Sequence, residues 1–347
     1  MDTKQLLLDF SSLTGVSGRE GEAANYGASL LAPYGKISRT PLGSVVCRVR
    51  EPCAGQPHIL LDAHIDEIGM VVTYIEESGF LRVAACGGID RRLLLAAPVF
   101  IHGQAGPVQG VVCSVPPHLA GENDKKNKKV DEIYIDIGFD SKEESAKQVA
   151  PGDVVTICSE SRALLGGHVS GKAIDDRAGC VSLLKALEYL GDFPLACGLS
   201  VLFSSMEETG GAGAKTAAYE LAPTHAVAVD VSFGHTPDAP KEKCGQLHEG
   251  PMIGIAPILS RTLTQKLTEL AKAEGIPYQV EVMGGKTSTN ADHIAVARGG
   301  VQTALLSIPQ KYMHTPIETV AVCDVENTAR LLCAFVKFIS QSEGVRK

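Results

Sequence analysis

The chain has 347 residues, of which 44% are hydrophobic and 21% charged, a composition typical of a globular protein that buries a large core. Its formal net charge of −8 argues against nucleic acid as a partner, because phosphate backbones attract basic surfaces. The length exceeds that of one small domain and predicts two domains, or one domain with a large insertion.

Helices and strands alternate in the first part of the chain. The spacing of apolar residues predicts helices over residues 3–12 and 19–33. Apolar runs then predict strands over 45–49 and 58–61, and the second of these leads into His64.

Between Asp66 and Gly167 the pattern changes to short β-type runs separated by glycine and proline. The predicted strands are residues 69–75, 80–84, 99–101, 108–113, 133–137 and 154–158. We therefore expect a small β-rich domain at 67–166, inserted into a larger domain formed by 1–66 and 167–347.

After Gly167 the pattern returns to strand–helix alternation, beginning with a predicted helix that starts near Asp175. The later predicted elements are strands at 199–203, 226–231, 279–283 and 303–308, and helices at 212–221, 263–273 and 324–340. Continuous apolar strands between helices indicate a sheet that is covered on both faces. The fold class is therefore α/β, a helix-covered mixed sheet plus the inserted β-rich domain.

Several features exclude other kinds of site. The ten cysteines form no C-x-x-C pair, so we expect reduced thiols and no cysteine-ligated zinc. The lysines at 125, 126, 128 and 129 are flanked by acidic residues and indicate a solvated loop. No apolar segment reaches the ~20 residues that a membrane helix needs, and no secretory signal is recognisable. We expect no membrane partner and a cytoplasmic protein.

Five potential metal ligands each follow an apolar, strand-like run, and they are His64, Asp175, Glu208, Asp230 and His314. Open α/β sheets bind ligands at the carboxyl ends of their strands, so these side chains should meet at one edge. Carboxylates and imidazoles suit a pair of divalent ions such as zinc, cobalt or manganese. The pattern predicts a co-catalytic metal site in a hydrolase.

Each of these residues alone has a simpler explanation. Asp175 and Asp176 fit the capped start of a helix, and His64-x-Asp66 occurs by chance in many chains. Glu207 beside Glu208 is harder to explain by stability, since two adjacent acids at the end of a buried strand repel each other. A metal bound to one, with the other free as a general base, resolves this conflict.

The motifs resemble those of the M42 family of metallo-aminopeptidases, which includes tetrahedral and bacterial glutamyl aminopeptidases. The matching stretches cover nearly the whole chain and are residues 62–69, 175–177, 207–210, 230–231, 289–291 and 308–318. The resemblance implies that His64 and Asp230 hold one metal, that Glu208 and His314 hold the other, and that Asp175 bridges the two.

The resemblance further implies that Glu207 is the general base and that Asp66 orients His64. The spacing leaves open whether Asp175 or Asp176 bridges the metals, and we prefer Asp175 because that position stays acidic in the family. The expected substrates are short peptides with free amino termini. The inserted domain would mediate dimerisation, and the expected assembly is a homo-oligomer built from dimers, with the tetrahedral dodecamer of the family preferred.

Two departures concern the substrate pocket. Lys311 stands where an arginine is expected, and residues 210–213 are small where a bulkier pair is usual. The nearest alternative is a co-catalytic zinc carboxypeptidase or deacylase, although the position of the insertion favours the aminopeptidase. A relative labelled as a glucanase is a further alternative, but glycosidases use a carboxylate pair without metals. A non-catalytic protein on the same fold would be expected to lack a ligand or Glu207.

Overall fold

The computed structural model describes residues 1–116, 118–119, 121 and 128–344, with side chains described up to residue 342. Lys125 and Lys126 of the predicted solvated loop lie outside the described residues. Within the described part, no helix is both long enough and apolar enough to cross a membrane. All ten cysteines are free, and four of them are buried.

Seventeen strands and eight α-helices are present in the described part of the chain. The strands are β1 (Lys36–Arg39), β2 (Val45–Arg50), β3 (His58–His64), β4 (Gly69–Ile75), β5 (Leu81–Cys86), β6 (Pro98–Gly103), β7 (Gly106–Val112), β8 (Tyr134–Asp136), β9 (Val154–Ile157), β10 (Arg162–Leu164), β11 (His168–Gly171), β12 (Gly198–Ser204), β13 (His225–Phe233), β14 (Met252–Ile255), β15 (Gln279–Val282), β16 (Gln302–Lys311) and β17 (Glu318–Ala321). The helices are α1 (Thr3–Ser12), α2 (Gly21–Leu31), α3 (Lys142–Ser145), α4 (Ile174–Leu190), α5 (Ala212–Leu221), α6 (Arg261–Ala273), α7 (Asn290–Ala295) and α8 (Val322–Gly344).

A large mixed sheet forms the centre of the molecule. Its main path runs β1-β2-β12-β3-β13-β16-β17-β11-β10, and β14 and β15 branch from β16. The four central strands β12, β3, β13 and β16 are parallel to one another, whereas their outer neighbours β2 and β17 are antiparallel. The carboxyl ends of the four parallel strands therefore lie at the same edge of the sheet.

Helices cover both faces of this sheet, and the strands alternate between two cores. On β3, Ile59 and Leu61 pack in the core formed with α1, α2, α4, α6 and α8. Leu60 points the other way, into a smaller core formed with α5 and α7. This period of two explains why every residue of β3 is buried and why residues 59–61 are continuously apolar.

The segment between β3 and β10 forms a separate closed barrel. Its strand order is β4-β5-β8-β7-β6-β9, and an apolar core that includes Met70, Val83 and Val155 fills it. All six barrel strands lie within the predicted inserted segment. The division at residues 66 and 167 and the dimerisation role remain predictions.

The predicted fold class is confirmed: a helix-covered mixed sheet with a small β-rich unit. The short strands β1, β10, β11, β14 and β17 were not predicted. They have three or four residues each, too few for a clear alternation of apolar and polar residues, and they are defined by pairing with other strands.

Candidate metal centre

The edge at the carboxyl ends of the parallel strands collects the predicted ligands. His64 is the last residue of β3, and Asp230 lies near the end of β13. Ser204, the last residue of β12, pairs in register with His64, so Glu208 emerges beside it. His314 follows β16, and Asp175 begins α4, with backbone angles that are not helical.

One group of ligand atoms comes from His64, Asp175 and Asp230, which all lie within 4.8 Å of one another. The His64 Nε2 atom is 3.1 Å from Asp175 Oδ1 and 3.9 Å from Asp230 Oδ1. All three side chains are buried. A buried pair of carboxylates next to one imidazole is unfavourable without a compensating cation.

A second group comes from Asp175, Glu208 and His314. Here His314 Nε2 is 3.3 Å from Asp175 Oδ2 and 3.4 Å from Glu208 Oε1. Asp175 belongs to both groups and uses a different oxygen in each. One carboxylate is therefore placed where it can bridge two ions.

The chemistry of this donor set fits divalent metals. Burial favours the neutral imidazole, but hydrogen bonds to Asp175 and Glu208 outweigh it and raise the pKa of His314 to about 11. The pKa of His64 is also raised, because its hydrogen bond to Asp175 and the negative charges of Asp66 and Asp230 outweigh its burial. The carboxylates thus attract positive charge so strongly that they hold protons on both histidines, and a bound cation would take the place of those protons.

Asp175 and Asp176 differ in what they face. Both carboxylate oxygens of Asp175 face histidine nitrogens in the centre. Asp176 instead accepts hydrogen bonds from the backbone amides of His64 at 3.2 Å and Gly179 at 3.0 Å. This arrangement supports Asp175 as the bridging residue and leaves Asp176 fixing the end of β3 to the start of α4.

Backbone carbonyls orient both histidines. His64 donates from Nδ1 to the main-chain oxygen of Asp66 at 3.1 Å, and His314 donates from Nδ1 to that of Gly88 at 2.9 Å. A carbonyl can only accept, so each Nδ1 carries a proton, and each Nε2 would present its lone pair to a bound cation once the cation has displaced the proton on Nε2.

The contacts of the Asp66 side chain differ from the orienting role that the resemblance implies. Its Oδ1 is 3.5 Å from His64 Nδ1, too long for a good hydrogen bond. The carboxylate accepts instead from the amides of Glu207 and Glu208, at 2.9 and 3.1 Å, and from the Ser17 hydroxyl at 2.5 Å. Asp66 therefore fixes the turn after β12 directly, while its carbonyl orients His64.

Glu207 lines the cleft beside the two ligand groups. Burial raises the pKa of Glu207, the negative charges of Glu208 and Asp175 add to this, and His64 opposes them, which together give a pKa of about 7. A nearby divalent cation would lower this value. A carboxyl group whose pKa lies near neutral pH can both accept and release a proton there.

Two residues that support the centre were not predicted to do so. The buried Glu318 side chain accepts from the amides of Asp175 at 3.0 Å and His314 at 2.9 Å, and so links two candidate ligands. Gly88 comes from the loop after β5, so the barrel unit contributes to the centre. A buried acid at the end of the last motif and the Gly87-Gly88 pair were the available sequence signals.

The centre opens into a cleft of about 690 Å³. Its walls include the exposed Phe233, Glu281 on β15, Lys286, His293 on α7 and Met313. The small residue Gly211 lies against the ring of His293, where a Cβ atom would come within 2.2 Å of it. A peptide end fits a cleft of this size and mixed polarity.

The other histidines have varied surroundings. His58 is buried and bonded to Leu221 and Ser200, and His102 bonds to Thr156. These contacts agree with structural roles. His168 and His248 contact each other, and neither belongs to the two ligand groups.

Comparisons with known proteins agree with this geometry. A family model described as M42 glutamyl aminopeptidase matches residues 43–331. A candidate aminopeptidase from Acetivibrio thermocellus is 35% identical, over 95% of this chain and 97% of its own length. Lysyl aminopeptidase from Pyrococcus furiosus is 31% identical, over 85% of each chain.

Solved structures with the same fold include two peptidases and one protein described as an endoglucanase. An aminopeptidase from Desulfurococcus kamchatkensis superposes with a TM-score of 0.90 at 34% identity and covers 98% of this chain and 97% of its own. The TET1 peptidase of Pyrococcus horikoshii, described as assembling into a tetrahedron or a large octahedral shell, has a TM-score of 0.85 at 32% identity, covering 96% and 98%. A Thermotoga maritima protein described as an endoglucanase has a TM-score of 0.77 at 27% identity, covering 96% and 99%.

Proposed function

The chain belongs to the M42 glutamyl aminopeptidase family, and we propose that it is a two-metal aminopeptidase that removes single residues from the amino termini of peptides. The observation that carries this proposal is Asp175, which contributes one oxygen to each of two ligand groups at the edge of the sheet. A bridging carboxylate between two histidine-containing groups is the arrangement that a co-catalytic pair of metals requires.

In this proposal His64 and Asp230 hold one ion, Glu208 and His314 hold the other, and Asp175 bridges them. The donors are imidazole nitrogen and carboxylate oxygen, which suit zinc, cobalt or manganese. When bound, such a pair of ions supplies Lewis acidity, which favours attack of water on an amide and stabilises the negative charge that develops.

Glu207 carries the proton transfer. It takes a proton from the attacking water and returns it to the leaving amine, which departs in its neutral form. Two observations support this role: Glu207 lies on the wall of the cleft, and burial and the surrounding charges raise the pKa of its carboxyl group. Asp66 positions it by accepting from its backbone amide.

Specificity for the amino end needs a receptor for the α-ammonium group of the substrate. Acidic residues of the cleft can supply it, since a carboxylate pairs with an ammonium through charge-assisted hydrogen bonds. Glu207 and Asp230 are the candidates closest to the centre. Short peptides with free amino termini are therefore the proposed substrates.

The barrel unit is the proposed dimerisation domain. The family relationship and the assembled state of the Pyrococcus horikoshii relative support a homo-oligomer built from dimers, up to a tetrahedral dodecamer. The loop after β5 carries Gly88, so the same unit that would join two subunits also contacts the metal centre.

A matched pair of peptides separates this function from its alternatives. One peptide has a free amino terminus, the other is the same sequence with an acetylated terminus, and both are followed by mass spectrometry. We expect stepwise loss from the free peptide only. Equal cleavage of both, or trimming from the carboxyl end, would favour a carboxypeptidase or deacylase. Release of reducing sugar from a β-glucan, without peptide cleavage, would favour the glucanase.

A further inference from the structure

A pair of histidines outside the candidate metal centre has a built geometry of its own. His168 begins β11, and His248 lies in the loop between β13 and β14. Their Nε2 atoms are 3.0 Å apart. The ring planes meet at 70° and the ring centroids are only 4.7 Å apart, so the rings approach each other at an angle and not end to end.

The outer nitrogen of each ring is already engaged. His168 Nδ1 is 3.0 Å from the main-chain oxygen of Leu165, which can only accept, so Nδ1 carries the proton. His248 Nδ1 is 3.3 Å from the sulfur of Cys323. In the metal-free protein one proton lies between the two Nε2 atoms, which are hydrogen-bonded to each other. When His248 Nδ1 donates to the sulfur of Cys323 and a metal replaces the shared proton, both Nε2 atoms present lone pairs toward the same point. Ligand histidines are commonly oriented in this way by a partner on the far nitrogen.

The loop that carries His248 is held rigidly. Asp324, at the start of α8, accepts from the amide of His248 at 2.7 Å and from that of Gly250 at 2.9 Å. His168 is anchored separately by the pairing of β11 with β17. Two imidazoles fixed by different elements lose little freedom when they bind one ion, and the charges of Asp324 and Glu249 nearby favour a cation.

We propose that His168 and His248 form a second metal site, separate from the catalytic centre, that chelates a divalent ion of the nickel(II) or copper(II) type. An ion about 2.1 Å from each of two nitrogens that are 3.0 Å apart subtends an angle of about 90°. That angle belongs to square-planar or octahedral coordination, which these two ions prefer and tetrahedral zinc does not. His248 is exposed and His168 half-buried, which leaves the remaining positions to water.

The bound ion would join β11 to the 245–250 loop, which Asp324 holds at the start of α8. β11, this loop and α8 are far apart in the sequence. α8 begins directly after β17, the strand that pairs with β11. The site does not depend on peptidase activity, because none of its residues lies among the proposed ligands or Glu207.

Crystals of the zinc-loaded enzyme soaked in nickel test the location. Anomalous difference maps recorded at the nickel and zinc absorption edges distinguish the two metals. We expect a nickel peak within bonding distance of both Nε2 atoms, with zinc retained at the catalytic centre. A map with nickel elsewhere on the protein but none between His168 and His248 would overturn the proposal.

Equilibrium dialysis tests the affinity in solution. Wild-type enzyme loaded with zinc should bind one further nickel ion per chain, and His168→Asn and His248→Asn should each weaken this binding by roughly 10²-fold, since the second imidazole no longer adds its intramolecular contact. The exposed His118→Asn is the matched control and should bind like wild type. If His168→Asn does not fold, His248→Asn carries the test, because that side chain is exposed. Nickel binding that is equal in wild type and His248→Asn would refute the site.

Discussion

Replacing Gly88 by alanine should damage the metal centre from the barrel side. A Cβ atom built on Gly88 lies 2.8 Å from Nδ1 and 3.1 Å from Cε1 of His314, closer than a methyl carbon can approach, so the ring or the loop must shift. The Gly88 carbonyl that accepts from this Nδ1 moves with it. Disturbing a partner of a metal-binding histidine typically costs 10–100-fold in metal affinity or activity, or about 1.4–2.8 kcal/mol.

The assay combines zinc affinity, measured by competition with a chromogenic chelator, with kcat on an aminoacyl amide. Gly21→Ala is the control, because a Cβ atom there has no neighbour within 4 Å. Thermal unfolding in the presence of chelator checks the fold of both variants. If Gly88→Ala keeps zinc affinity and kcat within about twofold of Gly21→Ala, the barrel loop does not support the centre and the reasoning fails.

Three further predictions address the chemistry, the protons and the assembly. Glu207→Gln should keep both metals and lose about 10²–10⁴-fold in kcat, whereas Glu208→Gln should lose metal; near-normal turnover in Glu207→Gln would contradict its role. Because the pKa values of His314 and His64 are raised, a metal must displace their protons when it binds. Metal affinity should therefore rise by about tenfold per pH unit for each proton displaced, and calorimetry in buffers of different ionisation enthalpy should detect the released protons. In the metal-free protein, by contrast, the raised pKa of His314 makes stability fall as the pH rises. The ion pairs of His314 contribute fully below pH about 6.5 and are lost as the pH rises toward 11. Light scattering should report a mass several times the 36.5 kDa of one chain, and a fully active monomer would argue against the proposed assembly.

The sequence predicted the sheet well because its central strands are long and apolar on both faces. The predicted strands at 199–203 and 226–231 fall within β12 and β13. Glu208 follows β12 closely, and Asp230 lies near the end of β13. The parallel order that brings these ends together follows from strand–helix alternation. Short strands such as β11 and β17 were missed, since they pair with each other across nearly 150 residues of chain.

The residues that position the candidate ligands were harder to predict than the ligands themselves. The choice between Asp175 and Asp176 depends on side-chain direction at the start of α4, which spacing does not encode. Gly88 contacts His314 across more than two hundred residues, and Asp66 uses its carbonyl where its carboxylate was expected to act. Such contacts depend on how the barrel and the sheet pack together, and a single sequence carries no pattern for them.

Metal titration of the depleted enzyme tests the central claim most directly. Protein stripped with a chelator is titrated with zinc, cobalt or manganese, and hydrolysis of an aminoacyl amide is measured beside the bound metal per chain. The account predicts no activity without metal, full activity at two ions per chain, and binding of fewer than two ions by Asp175→Asn. Full activity in the stripped enzyme, or saturation at one ion with Asp175→Asn unaffected, would contradict it.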